Sequence, residues 1–172
     1  LALAQEAREV LQPQPLRLDE VVRDALLRHL SRADSLGVDL GALGLDGPVW
    51  VLAQRALLEG VLDNLIDNAL RYGRPADGAP AHVTVDIGTR YGGRVCLSVL
   101  DNGPGLDQAE RERLLQRWAQ GPAGEALGQG SGLGLAIVAE YARIVGAALS
   151  LDAGEDGCGL RVSLWLDQPS EG

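Results

Sequence analysis

The sequence predicts an α+β fold, a two-layer sandwich in which a sheet carries its helices on one face. Three observations carry that prediction. In HVTVDIGTR and RVCLSVLD, alternate residues are apolar (Val83, Val85, Ile87 and Val95, Leu97, Val99), the period of strands that bury one face. LRLDEVVRDALLRHLSRADSLG and SGLGLAIVAEYARIVG instead repeat apolar residues at helical spacing. The two kinds of segment interleave along the chain, an order that fits helices packed on one face of a sheet.

The elements follow in order. Residues 1–12, LALAQEAREVLQ, have a helical pattern that stops at Pro13-Gln14-Pro15, where proline ends a helix and stiffens a linker over residues 13–17. The next helix carries Leu18, Val21, Val22, Ala25, Leu26 and Leu30 on its apolar stripe, with Asp19 as its cap and Gly37 as its stop. VDLGAL and PVWVL are strands around an Asp46-Gly47 turn. A helix over residues 53–72 ends at Gly73, expected as a left-handed cap. After a Pro- and Gly-rich loop, the two alternating strands meet at Gly92-Gly93. The second runs directly into DNGPGL. Residues 107–129 hold a short polar helix and then GPAGEALGQG, too long for an ordinary connection and expected to be a mobile lid. The last helix stops at Gly146, and AALSLDAG and GLRVSLWL close the chain as a hairpin.

Composition narrows the function. The 172 residues suffice for one domain with its own core. Every one of the 15 basic residues is Arg, and the lack of Lys excludes a Walker A phosphate loop. A net charge of −9 argues against nucleic acid as a partner. Cys96 and Cys158 lack metal-type spacing and are expected to be buried free thiols, which fits a reducing compartment. No apolar run approaches the ~18 residues of a membrane helix, so direct membrane contact is not expected.

Three stretches carry chemistry. In VLDNLIDNALRYG, Leu58, Val61, Leu62, Leu65 and Ala69 form the apolar stripe, while Asp63, Asn64, Asp67, Asn68 and Arg71 share the other side. A merely solvated helix face favours Glu and Arg, the better helix formers. Asn gives up helix propensity, and its amide oxygen suits a hard cation such as Mg²⁺. In DNGPGL a strand end delivers Asp101 into a loop whose Gly103 and Gly105 allow a tight turn and close approach of a ligand. A carboxylate there accepts a hydrogen bond from an exocyclic amine such as adenine N6; guanine presents a carbonyl instead. In GQGSGLGLAIV, alternating glycines run into a helix start, so amide N–H groups and the helix dipole form an anion site.

The order of these stretches resembles the ATP-binding domain of sensor histidine kinases within the GHKL superfamily, whose fold is the Bergerat-type sandwich. NLIDNALRY resembles its N box, DNGPGL and GSGLGLAIV its two glycine boxes, and RLLQRWAQG the box between them. The resemblance covers almost the whole chain. It implies ATP and Mg²⁺ as cofactors. Asn68 would ligate the metal, Asn64 would line the same pocket, and Arg71 and Tyr72 would contact the nucleotide. Asp101 would read adenine in a pocket shaped by Gly103, Gly105 and Leu106. Gly130, Ser131, Gly132, Leu133 and Gly134 would cradle phosphates, and Arg117 would reach the terminal one.

The hydrolytic relatives carry a Glu four residues before the metal Asn. Here that position is Asn64, which cannot act as a general base, so a kinase that keeps its γ-phosphate for transfer is implied. The lid box departs from the family at Leu115, Trp118 and Gln120. Neither His29 nor His82 stands in an acceptor motif. The resemblance therefore implies a phospho-acceptor histidine on a separate dimerisation domain. Residues 1–12 would be the end of a dimerisation helix, residues 18–168 the catalytic domain, and 169–172 a tail. The partners implied are that dimerisation domain and a response regulator. The whole protein would be a homodimer anchored in the bacterial inner membrane, with this cytoplasmic piece monomeric alone. The rival readings are an anti-sigma-factor-like serine kinase of the same superfamily and a nucleotide-sensing interaction module without catalysis.

Overall fold

The computed structural model describes residues 12–119 and 133–170. Its elements are β1 (Gln14–Arg17), α1 (Leu18–Ser35), β2 (Val38–Leu43), β3 (Trp50–Ala53), α2 (Arg55–Tyr72), β4 (Ala81–Tyr91), β5 (Arg94–Asp101), α3 (Gln108–Ala119), α4 (Leu133–Val145), β6 (Ala148–Ala153) and β7 (Leu160–Asp167). The main sheet has the order β2-β4-β5-β7-β6. β2 runs parallel to β4 and every other neighbour is antiparallel, so the sheet is mixed. The expected α+β sandwich is the fold observed. Residues 1–11 of the expected first helix and the lid stretch GPAGEALGQG, residues 121–130, lie outside the described residues.

The alternating valines set the layering. Val83, Val85, Ile87, Val95, Leu97, Val99, Val162, Leu164 and Leu166 are all buried on one face of the sheet. Against them pack Leu58, Leu62, Leu65, Ile66 and Ala69 of α2, with Val138, Tyr141 and Ala142 of α4. The alternate positions include polar pairs: Ser98 of β5 and Ser163 of β7 share a hydroxyl hydrogen bond of 2.9 Å, and Arg161 of β7 pairs with Asp86 of β4 at 3.6 Å. Gly92 and Gly93, both with positive φ, close the β4–β5 hairpin where the sequence expects it.

Several local expectations are corrected. VDLGAL and PVWVL are strands, yet they do not pair around Asp46-Gly47. β2 joins the main sheet, while β3 pairs with β1 in a separate two-stranded sheet. Gln14–Arg17, expected within a linker, therefore form a strand. Leu30 is 51% exposed rather than on the buried stripe of α1. Cys96 is half-buried and Cys158 is exposed, in the turn before β7 rather than within a strand. Gly37 does stop α1 with φ +66°.

Asp19 is not a helix cap. α1 begins after Arg17, which makes no side-chain cap, and Asp19 lies inside the first turn, fully buried. Its Oδ1 accepts from Arg17 Nε (2.8 Å) and from the Val49 amide (2.9 Å). Its Oδ2 accepts from Arg17 Nη2 (2.6 Å) and Arg23 Nη1 (2.8 Å). The carboxylate bolts the β1–α1 junction to the segment before β3. The Arg17 guanidinium, helped by the Val49 amide and Arg23, holds its pKa well below the usual carboxylate range despite desolvation. Removing the side chain leaves the Val49 N–H without its partner, whereas both arginines are partly exposed and regain water. Asp19→Ala is therefore expected to cost about 3 kcal/mol, lowering the melting temperature by roughly 10 °C. Because the folded pKa is depressed, this stabilisation is complete above the unfolded carboxylate value of about 4 and is lost as pH falls toward the folded value. The gap between wild type and variant in thermal melts should narrow below pH 4; a constant gap would contradict the assignment.

Candidate functional site

α2 is fixed at both ends. Its N-cap Gln54 accepts from the Leu57 amide (3.2 Å), and its C-terminus closes with the Gly73 amide donating to the Ala69 carbonyl (2.9 Å). Between them the predicted stripe Leu58, Val61, Leu62, Leu65 and Ala69 is buried. The opposite face divides its work. Asp63 Oδ1 accepts from Arg28 Nη2 (2.9 Å) and contacts His29 Nε2 (2.9 Å), both on α1. Asp67 pairs with Arg32 of α1 and with Arg71 Nε at 3.0 Å. The two aspartates thus tie α2 to α1 and leave the asparagines for another task.

Asn64 turns its Nδ2 back to the Gly60 carbonyl (2.9 Å), which fixes its amide plane. Asn68 differs. Its Nδ2 is buried with no hydrogen-bond partner among the described residues. An orphaned buried amide of this kind costs about 1–3 kcal/mol and calls for an explanation in function. The NH2 group itself cannot ligate a cation, but the amide oxygen of the same side chain is the kind of donor that Mg²⁺ takes. That ion keeps several waters and takes one or two protein oxygens alongside phosphate oxygens, so it needs no closed protein cage. The described residues contain no group of three or more His, Cys, Asp and Glu that would make such a cage.

β5 delivers Asp101 to the end of α2. Its Oδ1 accepts from the Gly103 amide (3.0 Å) and the Leu160 amide (3.3 Å). Oδ2 accepts nothing among the described residues. Burial pushes the carboxyl pKa up, and the two amide hydrogen bonds oppose that shift. The neighbouring Asn102 pins the loop to β4: its Oδ1 accepts from the His82 amide (2.8 Å) and its Nδ2 donates to the Pro80 carbonyl (2.8 Å). Gly103 lies directly on Gly73; a Cβ on Gly103 would stand 2.5 Å from the Gly73 carbonyl carbon. That contact joins the amide-bearing turns of α2 to the Asp101 loop. Gly73 has φ −88°, so it is not the left-handed cap the sequence suggests.

Around this joint, Arg71 and Tyr72 are exposed at the helix end and Leu106 is half-buried at the loop's exit. Asp107 and Glu110 then form a reciprocal capping box, Glu110 N–H to Asp107 Oδ1 (2.7 Å) and Asp107 N–H to Glu110 Oε2 (2.9 Å), which starts α3. Arg117 lies in α3, its side chain beyond what the structure describes. Leu133 and Gly134 open α4, which packs on α2. Gly130, Ser131 and Gly132 lie outside the described residues. The sequence reading missed the roles of Gly73, Asn102 and the Gly159-Leu160 step; the glycine density of GEDGCG was the available signal for the last.

This arrangement has a family counterpart. The model of the histidine kinase-, DNA gyrase B-, and HSP90-like ATPases matches residues 53–170, from the end of β3 past β7. The chain belongs to this ATPase family. The matched region is the family's ATP-binding catalytic domain. The sensor protein kinase PmrB from Pseudomonas aeruginosa is 32% identical over 152 residues, 88% of this chain and 30% of its own. The catalytic domain of the histidine kinase ThkA superposes with a TM-score of 0.73 at 19% identity, covering 92% of this chain and 99% of that one. Full-length ShkA in complex with AMPPNP gives the same TM-score at 26% identity, over 94% of this chain and 32% of that one. The chain spans less than a third of the length of the curated relatives it matches. Those relatives are sensor kinases, which disfavours the anti-sigma-factor reading. Among the described residues, no helix of this ATPase domain is long and apolar enough to cross a membrane.

Proposed function

We propose that this domain binds Mg·ATP and, within a two-component sensor kinase, donates the γ-phosphate to a histidine on a dimerisation domain. The observation that carries the reading is the joint at Gly73 and Gly103. It sets a carboxylate with one oxygen free among the described residues, Asp101 Oδ2, beside a helix end that carries Asn68. The carboxylate suits an exocyclic amine and the amide oxygen suits a hard cation. Asp101 would read adenine N6 in a pocket bounded by Gly103, Gly105 and Leu106. Asn68 would hold Mg²⁺, and Asn64 would line the same pocket. When bound, that ion neutralises phosphate charge and orients the terminal group. Arg71 and Tyr72 would flank the nucleotide, Gly130, Ser131, Gly132, Leu133 and Gly134 would donate amides to its phosphates, and Arg117 would meet the γ-phosphate.

Asn64, an amide already bonded to Gly60, cannot activate water, so transfer rather than hydrolysis is the outcome favoured. The chain's two histidines do not serve as acceptors in this reading. His29 is held against Asp63 between α1 and α2, and His82 is exposed beside Asp39. The acceptor comes from a dimerisation domain, the phosphoryl group passes on to a response regulator, and the whole protein is a homodimeric, inner-membrane-anchored bacterial sensor with this domain on its cytoplasmic side.

Two assays test the proposal. Calorimetric titration should show ATP binding that strengthens with Mg²⁺. Incubation with γ-labelled ATP and a separately supplied dimerisation domain should produce acid-labile phosphohistidine. Binding without any transfer would leave a nucleotide-sensing module; no binding at all would defeat the reading.

A further inference from the structure

Three segments far apart in sequence converge on one side chain. The end of α2 meets Asp101 at Gly73: a Cβ there would stand 2.5 Å from both Cβ and Cγ of Asp101 and 2.6 Å from the Ala69 carbonyl. Since Gly73 has φ −88°, a conformation open to any residue, what it supplies is space rather than backbone freedom. From the other side comes the turn between β6 and β7. Gly159 has φ +77°, and a Cβ on it would stand 1.8 Å from the Asp101 carbonyl oxygen. Immediately after it, the Leu160 amide donates to Asp101 Oδ1 at 3.3 Å. The third segment is the DNG loop itself, whose Gly103 amide donates to the same Oδ1 at 3.0 Å.

Both donors fall on one oxygen. Together they fix the rotation of the carboxylate and leave Oδ2 as its only free acceptor among the described residues. The glycines on either side set how deep the side chain sits. A strand end alone would not do this, because an aspartate at a strand terminus turns about χ1 and χ2.

We propose that the end of α2 and the β6–β7 turn act as a backbone clamp that aims Asp101 Oδ2 at the base, making Gly73 and Gly159 positioning residues for adenine selectivity. This rests on the reading of Asp101 as the adenine acceptor. The clamp adds no ligand contact of its own. It confines the acceptor to the few tenths of an ångström that a selective hydrogen bond tolerates. A methyl group at Gly73 pushes against Cβ and Cγ of Asp101 and tilts Oδ2 away. Recognition of the 6-amino group then fails while the phosphate contacts stay.

The test compares ATP with inosine triphosphate, in which a carbonyl replaces the 6-amino group, by competition against a fluorescent nucleotide on the whole domain. Gly47→Ala serves as a control, since a Cβ at that loop glycine meets nothing within 4 Å. Wild type and control should prefer ATP. Gly73→Ala should lose about tenfold in ATP affinity and less than about twofold for inosine triphosphate, so the ratio collapses. General damage to the fold would weaken both nucleotides alike and leave the ratio intact, which would overturn the proposal. Should Gly73→Ala fail to fold, an amide-to-ester replacement at Leu160 removes one donor without adding an atom. It should lower the ratio by about fivefold; an unchanged ratio sinks the clamp. A wild type with no preference for ATP would instead refute the adenine reading on which the clamp depends.

Discussion

Asp101→Asn is expected to weaken ATP binding by about 100-fold and to leave inosine triphosphate bound as well as before, or better. The substitution is nearly isosteric, so the magnitude comes from which atom faces the base. In the wild-type domain the Gly103 and Leu160 amides both donate to Oδ1. An asparagine must keep its own oxygen at that point, because turning the amide over would set its NH2 against two N–H donors. The NH2 group therefore occupies the place of Oδ2 and meets the 6-amino group donor to donor. A buried polar pair that cannot bond costs about 1–3 kcal/mol, and here both partners are donors, which places the loss at the upper end. A 6-carbonyl accepts from the same NH2 group, so a purine triphosphate carrying one is favoured. Competition binding with the two nucleotides measures the switch directly. A variant that loses both equally, or neither, would show that Asp101 does not read this edge of the base. A related pH effect follows for the wild type. Burial raises the Asp101 pKa, and a protonated Oδ2 becomes a donor, so ATP affinity should fall as pH drops through that raised value while inosine triphosphate affinity does not.

The parts of this site that the sequence revealed are those written in local pattern. Val83, Val85 and Ile87 alternate because one face of β4 is buried, and each is buried in the fold. The polar face of α2 is visible because Asn is a costly choice inside a helix. What local pattern cannot show is which distant partner a polar residue finds. Asp63 and Asp67 share a face with Asn64 and Asn68, and nothing nearby separates them in role. The separation comes from Arg28, His29 and Arg32, some 35 positions upstream, which claim the aspartates once α1 lies beside α2.

The same limit explains the other misses. Pro13-Gln14-Pro15 has the composition of a linker, yet an edge strand tolerates proline where no N–H is needed, and β3 supplies the partner. Asp19 stands where a helix cap would, but its acceptor capacity is taken by Val49 and two arginines. Gly73 follows a helix as a left-handed cap would. Its real constraint is the Asp101 side chain, which arrives from 28 residues downstream. In each case the residue type is legible and its partner is not, because pairing is a property of the packed chain.

Asn68→Ala is expected to reduce phosphoryl transfer to histidine by about 100- to 1000-fold and at the same time to make the domain more stable. The two effects have one origin. Asn68 Nδ2 is buried without a partner among the described residues, so the native side chain carries a desolvation cost that alanine lacks. Alanine is also the better helix former by about half a kcal/mol. Together these raise stability by about 1 kcal/mol or more, or a few degrees in melting temperature. What is lost, on the proposed reading, is the amide oxygen that would meet Mg²⁺ at the end of α2. Asn64 cannot replace it, since it lies one turn earlier with its amide bonded to Gly60. ATP affinity without Mg²⁺ should stay within about twofold of wild type, because the base contact proposed for Asp101 is untouched. Asn68→Asp supplies an oxygen donor again and should recover part of the Mg²⁺ dependence, limited by placing a negative charge beside phosphates. A less stable Asn68→Ala domain would mean that the orphaned nitrogen is satisfied in the native fold. A more stable one that transfers phosphate normally would remove Asn68 from the metal site. Higher melting temperature with transfer lost is the combination that neither misfolding nor a purely structural role produces, and it is the pattern of a residue kept for function at the expense of its helix.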